Sequence, residues 1–327
     1  MYHIYETQQF TEDYLRAVFE RAKHMQTVFK EGGNNSLARI NAVNWFGQPS
    51  TRTHGSFRVA ELNLGIRILF DTDSASETSS AIKGETYEDT VRILSGWVPD
   101  PRSLVIVLRH EDGKAAERFV EAAGQSGPHI VNAGCGKRDG QHPTQSLLDL
   151  FTIQKERPHL EEPVIVIVGD CRNGRTARSL CYLAPKLYPG LKIVFVSPPS
   201  LMMMDDIKKH LTEHQVHYEE VTDSGMFSDV LRQANVVYMT RIQKEDLTGD
   251  DVARFEDYQT AFQLNSNTIK ALPDDGLILH PLPRNLEIAQ EIDSDPRAAY
   301  SDPRAAYFRQ ADNGVFVRMA LLRMMFP

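Results

Sequence analysis

Residues 47–57, GQPSTRTHGSF, set Ser50, Thr51, Arg52 and Thr53 in succession ahead of a helix-like run, FRVAELNLG. The first turn of a helix leaves backbone N–H groups without intrahelical partners, and the helix dipole adds positive potential there. Three hydroxyls and a guanidinium at that point make a cradle for a phosphate or another anion. A plain Ser/Thr N-cap would use one such residue, so four consecutive donors favour the anion site.

Further basic and amide groups follow runs that look like buried strands. Arg109 ends SLVIVLR, and open α/β sheets bind ligands at the carboxyl ends of their strands. His142 and Gln145 lie three residues apart in GQHPTQSLLDL, a spacing that lets both project from the first turn of a helix. Arg241 and Gln243 follow NVVYM, and His280 lies in ILHPLPR, where prolines fix the turn. Taken singly, an arginine at such a point is commonly a surface residue and a histidine commonly structural. Together they suit a small polyanion held by arginines, with catalysis by positioning and electrostatics. GDCRNGRT lacks the GxGxxG spacing of a dinucleotide loop and carries Arg175 where glycine would be needed. Walker-type GxxxxGK[ST] is absent as well.

The elements that must position these groups are legible from periodicity. Thr11 and the segment EDYLRAVFERAKHMQTVF read as a capped amphipathic helix, with Leu15, Val18, Phe19, Ala22 and Met25 on one face, stopped by Gly32 and Gly33. Apolar runs of strand length (ARINAVNWF, RILF, SLVIVL, HIVNA) then alternate with helical stretches, the pattern of a parallel α/β sheet. A second set (PVIVIVGD, LKIVFVS, VHYEEV, NVVYM, GLILHPL) follows the helix TQSLLDLFTIQKE, where the boundary between two doubly wound halves is expected. The final VFVRMALLRMMF reads as a docked helix. SDPRAAY occurs twice in succession, at 294–300 and 301–307, and reads as a loop expansion, which costs little closure entropy.

The 327 residues carry a formal net charge of −8, so attraction to nucleic acid or to an anionic membrane surface is not expected. Cys135, Cys171 and Cys181 form no CxxC pair, which argues against a disulfide framework or a thiolate zinc site and fits the cytoplasm. Neither a signal-peptide core nor a membrane-length apolar run is expected.

PSTRT, a serine ahead of KGET, HPTQ, GRT, TRIQKE and HPLPR, in this order over nearly the whole chain, resemble the aspartate carbamoyltransferases, the aspartate branch of the aspartate/ornithine transcarbamoylase family. HPLP stands where the ornithine branch has an HCLP-type segment. The resemblance implies a carbamoyl-phosphate domain at 1–148, an amino-acid domain at 149–305 and a C-terminal helix, 306–327, returning to the first, with the active site in the cleft between the domains. It also implies transfer of a carbamoyl group from carbamoyl phosphate to L-aspartate, in pyrimidine biosynthesis. Ser50, Thr51, Arg52 and Thr53 would hold the phosphate. Thr53, Arg109 and His142 would polarise the carbamoyl carbonyl, Gln145 its amide, and the carbonyls of Pro281 and Leu282 would orient the amino group. Arg175, Arg241 and Gln243 would grip the carboxylates of aspartate, as fork-shaped guanidiniums suit. Ser79 and Lys83 match residues donated into a neighbour's site, which implies a homotrimer; Lys83 alone would pass for a solvated loop lysine. The implied chemistry is attack by the neutral amine, a tetrahedral oxyanion, and departure of phosphate with the proton. No metal or organic cofactor is called for, and a regulatory chain or a dihydroorotase is a possible partner.

The family pattern is broken at two positions that help latch its domains closed: Gln48 replaces a glutamate and Asp246 an arginine. This implies weakened or rewired closure, which would lower the electrostatic advantage of a dry site. It leaves two other readings, a transcarbamoylase with a different amine acceptor and a catalytically weak binding paralogue.

Overall fold

A computed structural model describes residues 1–244, 247–294 and 306–326. Asp246 and most of the duplicated SDPRAAY segment lie outside the described residues, as does the side chain of Ser79. The chain divides into two compact units, Met1–Leu148 joined by the chain from Asp312 onward, and Asp149–Ala311.

The first unit opens with α1 (Glu12–Lys30). Thr11 caps it through its hydroxyl, which accepts from Tyr14 N–H, and Glu12 and Asp13 complement the dipole. Leu15, Val18, Phe19, Ala22, Met25 and Val28 form its buried stripe. Then come β1 (Asn41–Phe46), α2 (Thr51–Asn63), β2 (Arg67–Thr72), the single turn α3 (Ser79–Ile82), α4 (Tyr87–Ser95), β3 (Leu104–Arg109), α5 (Ala115–Ala123), β4 (His129–Asn132) and α6 (Pro143–Glu156). The strands form a parallel sheet in the order β2-β1-β3-β4. Leu104 to Leu108 of β3 are fully buried, the continuous apolar run expected of a strand covered on both faces. Val43, Ile106, Leu108, Ile130, Leu94 and Phe119 meet in one core.

The second unit contains β5 (Val164–Val168), α7 (Arg175–Leu183), β6 (Lys192–Val196), α8 (Asp205–Glu213), β7 (His217–Val221), α9 (Phe227–Arg232), β8 (Val236–Met239), α10 (Phe255–Ala261), β9 (Leu277–Leu279) and the turn α11 (Glu291–Ser294). Its sheet is parallel, in the order β7-β6-β5-β8-β9. Val166, Val194, Val237 and Ile278 lie in its core, whereas β7 at the edge is partly exposed. The C-terminal helix α12 (Tyr307–Met325) groups with the first unit from Asp312 onward, and its first turn groups with the second. Among the described residues no helix is long and apolar enough to cross a membrane.

Both sheets reverse their winding once. In the first, β1 leads outward to β2 while β3, on its other side, leads to β4; in the second, β5 leads to β6 while β8 leads to β9. At such a switch point the loops leave the adjacent strand ends in opposite directions and open a crevice.

Candidate active site

The switch point of the first unit gathers residues expected from the sequence to hold an anion. Beyond β1, Gly47 N–H donates to Arg109 O at 2.7 Å, and Ser76 Oγ donates to Gly47 O at 2.9 Å. A Cβ on Gly47 would stand 2.6 Å from Ser76 Oγ, so the absence of a side chain lets the two loops close on each other. Pro49 then leads into α2.

The first i→i−4 bond of α2 runs from His54 N–H to Ser50 O, which puts the N–H groups of Thr51, Arg52 and Thr53 ahead of the intrahelical ladder. Ser50 occupies the N-cap position, yet its side chain makes no capping bond. Its hydroxyl instead accepts from an Arg109 guanidinium nitrogen at 3.1 Å. The plain-cap reading of STRT therefore fails here, and α2 has no acid in its first turn to stand in for an anion. Thr53 is buried, and its hydroxyl lies 3.3 Å from Nε2 of the buried His142. Thr51 and Arg52 are exposed; burial of the stem lowers the Arg52 pKa from its usual value, but a guanidinium stays charged throughout the working range.

His142 ends the loop before α6, and its carbonyl accepts from Gln145 N–H at 3.0 Å and Ser146 N–H at 3.2 Å. Gln145 is buried on the same first turn. The structure thus brings Ser50 to Arg109 and Thr53 to His142. Lys83 is exposed beyond α3 and makes no hydrogen bond or ion pair among the described residues.

The second unit has its own cluster at its own switch point. After β5 the chain turns at Gly169, with φ +104° and Thr240 O only 2.2 Å from where a Cβ would stand. Asp170 accepts from the Asn173 backbone N–H at 2.9 Å and shapes the loop that delivers Arg175 to the first position of α7. After β8, Thr240 N–H and Oγ both donate to Val168 O, at 2.8 and 2.7 Å, locking the two strand ends together. The Arg241 guanidinium donates to Gln243 Oε1 at 2.6 Å. Arg175, Arg241 and Gln243 are all half-buried.

The HPLP turn is held by groups that sequence reasoning missed. Leu282 N–H donates to His280 Nδ1 at 2.7 Å, which leaves the ring proton on Nε2, 2.8 Å from Glu287 Oε1. Burial raises the Glu287 pKa, but the hydrogen bond from His280, with backbone N–H donors, outweighs it and holds the group below the usual carboxylate value. His280 N–H donates to Gln310 Oε1 at 2.8 Å, Gln310 Nε2 donates to Asp149 Oδ1 at 2.6 Å, and Tyr238 donates to Asp149 Oδ2 at 2.9 Å. This network holds Leu282 at φ +58°, a conformation that costs a branched residue ~1–3 kcal/mol, with the carbonyls of Pro281 and Leu282 in a fixed turn. The available signal was Asp149 itself, a charge inside the apolar run SLLDLF. Among the described residues no group of three or more His, Cys, Asp or Glu side chains could hold a metal ion.

Two family models match the chain. The carbamoyl-phosphate-binding domain of aspartate/ornithine carbamoyltransferase matches residues 2–155, and the aspartate/ornithine-binding domain matches residues 161–325. Aspartate carbamoyltransferase 3, chloroplastic, of Pisum sativum is 43% identical over 98% of this chain and 77% of its own length. The solved aspartate transcarbamoylase of Trypanosoma cruzi in complex with carbamoyl phosphate and aspartate has a TM-score of 0.83 and 31% identity, covering 98% of this chain and 95% of its own. The catalytic subunit of the M. jannaschii aspartate transcarbamoylase has a TM-score of 0.83 and 32% identity, covering 99% and 98%.

Proposed function

The chain belongs to the aspartate/ornithine carbamoyltransferase family, and we propose that it transfers the carbamoyl group of carbamoyl phosphate to the α-amine of L-aspartate, a step of pyrimidine biosynthesis. The observation that carries the site assignment is the uncapped start of α2 at the β1/β3 switch point, with Arg109 on Ser50 and His142 on Thr53.

In the first unit the N–H groups of Thr51, Arg52 and Thr53, with the Arg52 guanidinium, take the phosphoryl oxygens. Thr53, Arg109 and His142 direct donors at the carbamoyl oxygen, where negative charge grows as the carbonyl becomes tetrahedral. Gln145 and the carbonyls of Pro281 and Leu282 orient the substrate's nitrogen groups. In the second unit Arg175 and Arg241, the latter steadied by Gln243, hold the carboxylates of aspartate. The neutral amine forms the new C–N bond, the C–O bond to phosphate breaks, and the departing phosphate takes the amine's proton. The protein supplies positioning and electrostatics rather than a nucleophile.

Lys83 and Ser79 act in the site of a neighbouring copy, which makes the working form a homotrimer. The exposure of Lys83 and the absence of a hydrogen-bond or ion-pair partner for its side chain among the described residues support this reading. So do Leu69, Ile82, Ile93 and Trp97, apolar side chains exposed on and near the edge strand β2. The buried cysteines, none of them in a disulfide, are at home in a reducing compartment such as the cytoplasm.

The deciding experiment follows phosphate release from carbamoyl phosphate with L-aspartate, with a panel of other amines and without amine, and identifies the carbamoylated product. We expect equimolar phosphate and N-carbamoyl-L-aspartate, falling ~100-fold or more in Arg52→Ala through loss of a charged transition-state contact. Turnover only with another amine would move the acceptor assignment, and no turnover with any amine would favour a binding paralogue.

A further inference from the structure

Behind the phosphate-binding end of α2 lies a buried polar pair that none of the substrate contacts uses. Glu61, on the last turn of α2, and Asn44, in the middle of β1, are both fully buried. Asn44 Nδ2 donates to Glu61 Oε2 at 2.9 Å. The remaining oxygen of each side chain, Glu61 Oε1 and Asn44 Oδ1, is also buried and has no hydrogen-bond partner among the described residues.

An ionised Glu61 offers acceptors only, so in that state two dry acceptor oxygens stay unsatisfied beside an unpaired charge. One proton cures both faults. An O–H on Oε1 donates to Asn44 Oδ1 while Nδ2 continues to donate to Oε2, closing an acid–amide pair in which both oxygens and the amide are engaged. We propose that Glu61 is a neutral carboxylic acid in the working protein and that its pair with Asn44 is the positioning device that seats α2 on β1 and aims the helix at phosphate. This rests on the assignment of that helix end to carbamoyl phosphate.

The surroundings agree. Burial pushes the Glu61 carboxyl up to about 8; the hydrogen bond from Asn44 and the charge of Arg58 oppose this, and the charge of Asp71 on β2 adds to it. Arg58 Nε lies 2.7 Å from Asp71 Oδ2, and His54 pairs with the other oxygen, so both basic side chains of α2 on this side are engaged by Asp71. Arg318 of α12 lies over the Phe57 ring at 5.0 Å, one turn before Glu61. Glu61 follows Thr51 by ten residues, ~15 Å along the axis, so it acts through the seating of the helix and not by touching substrate.

Glu61→Gln tests the proposal, because glutamine keeps the shape, can make both hydrogen bonds and cannot ionise. Denaturant unfolding and calorimetric binding of inorganic phosphate are measured for both proteins from pH 5 to 9. A carboxyl whose pKa is raised by folding contributes stability that is fully present below the unfolded value, near 4.5, and is lost as pH rises toward about 8. The folding constant of wild type should therefore fall against the variant by about tenfold per pH unit in that window and then level off. Phosphate affinity should match at pH 6, and wild type should weaken relative to the variant above about pH 8. Parallel stability curves would overturn the neutral acid. Diverging stability with an unchanged affinity ratio would overturn the positioning role. Phosphate bound by neither protein would instead count against the carbamoyl-phosphate assignment, with the stability curves still deciding the protonation state. Should the variant not fold, infrared titration of wild type decides: a buried carboxylic-acid carbonyl band present at pH 6 and lost near pH 8 supports the proposal, and its absence at pH 6 sinks it.

Discussion

Three histidines occupy different chemical settings, each read from its partners. His142 faces the Thr53 hydroxyl at the proposed carbonyl-polarising point. His280 is a structural neutral imidazole clamped between Leu282 N–H and Glu287. His129, on β4, is buried with Nδ1 2.9 Å from Tyr2 O and its ring 4.0 Å from that of Tyr2, with His3, Arg102 and the N-terminal amine nearby. Burial, aided by His3 and the terminal amine and opposed by hydrogen bonds to the Tyr2 and Arg102 backbone, pushes its pKa down to about 4. A histidine kept neutral by folding is protonated first in the unfolded chain, so its contribution is intact above pH 6.5 and lost as pH falls toward about 4. At most ~3 kcal/mol is lost across that window. His129→Phe should flatten the acid side of a plot of urea midpoint against pH. An acid limb as steep as that of wild type would refute the assignment.

At the scale of elements, the strands and the stripe of α1 were legible because apolar period and run length report burial directly. Legible too were the positions of Arg109, His142, Arg175 and Arg241 at or just past strand or loop ends. The polar groups beneath them were not. Glu61 occupies a core position of the stripe Phe57, Ala60, Glu61, Leu64, and a lone glutamate among good helix formers passes for a solvated residue until Asn44 is found opposite. Ser50 was misleading in the other direction, since its type suits a cap and only the geometry hands its hydroxyl to Arg109. Gly169 was quoted only inside longer segments, the run PVIVIVGD and the loop GDCRNGRT, although its positive φ lets β5 and β8 close through Thr240. Gly169→Ala places a methyl against backbone and should destabilise by roughly 3 kcal/mol, raising the KM for aspartate more than that for carbamoyl phosphate. A urea midpoint within error of wild type would contradict this account.

For the whole molecule, a net charge of −8 means that anions reach the protein against its mean field, so capture depends on local donors. The proposed donation of Lys83 to a neighbour sets a requirement that no isolated chain can meet. Arg52→Ala and Lys83→Ala should each be nearly inactive alone. Unfolded together in equal amounts and reassembled, they should regain about one quarter of wild-type activity per chain, the statistical share of intact sites if each site takes Lys83 from one neighbour. No recovery in reassembled mixtures would remove Lys83 from the shared site. The uncapped start of α2 carries a last consequence. Because Ser50 is engaged by Arg109, the anion that completes the helix would, in the proposed site, arrive with the substrate and become the second product. A grip of that kind would also hold inorganic phosphate, so each catalytic cycle would have to strip the helix of its terminal anion before the next began, and cellular phosphate would be a standing competitor for an empty site.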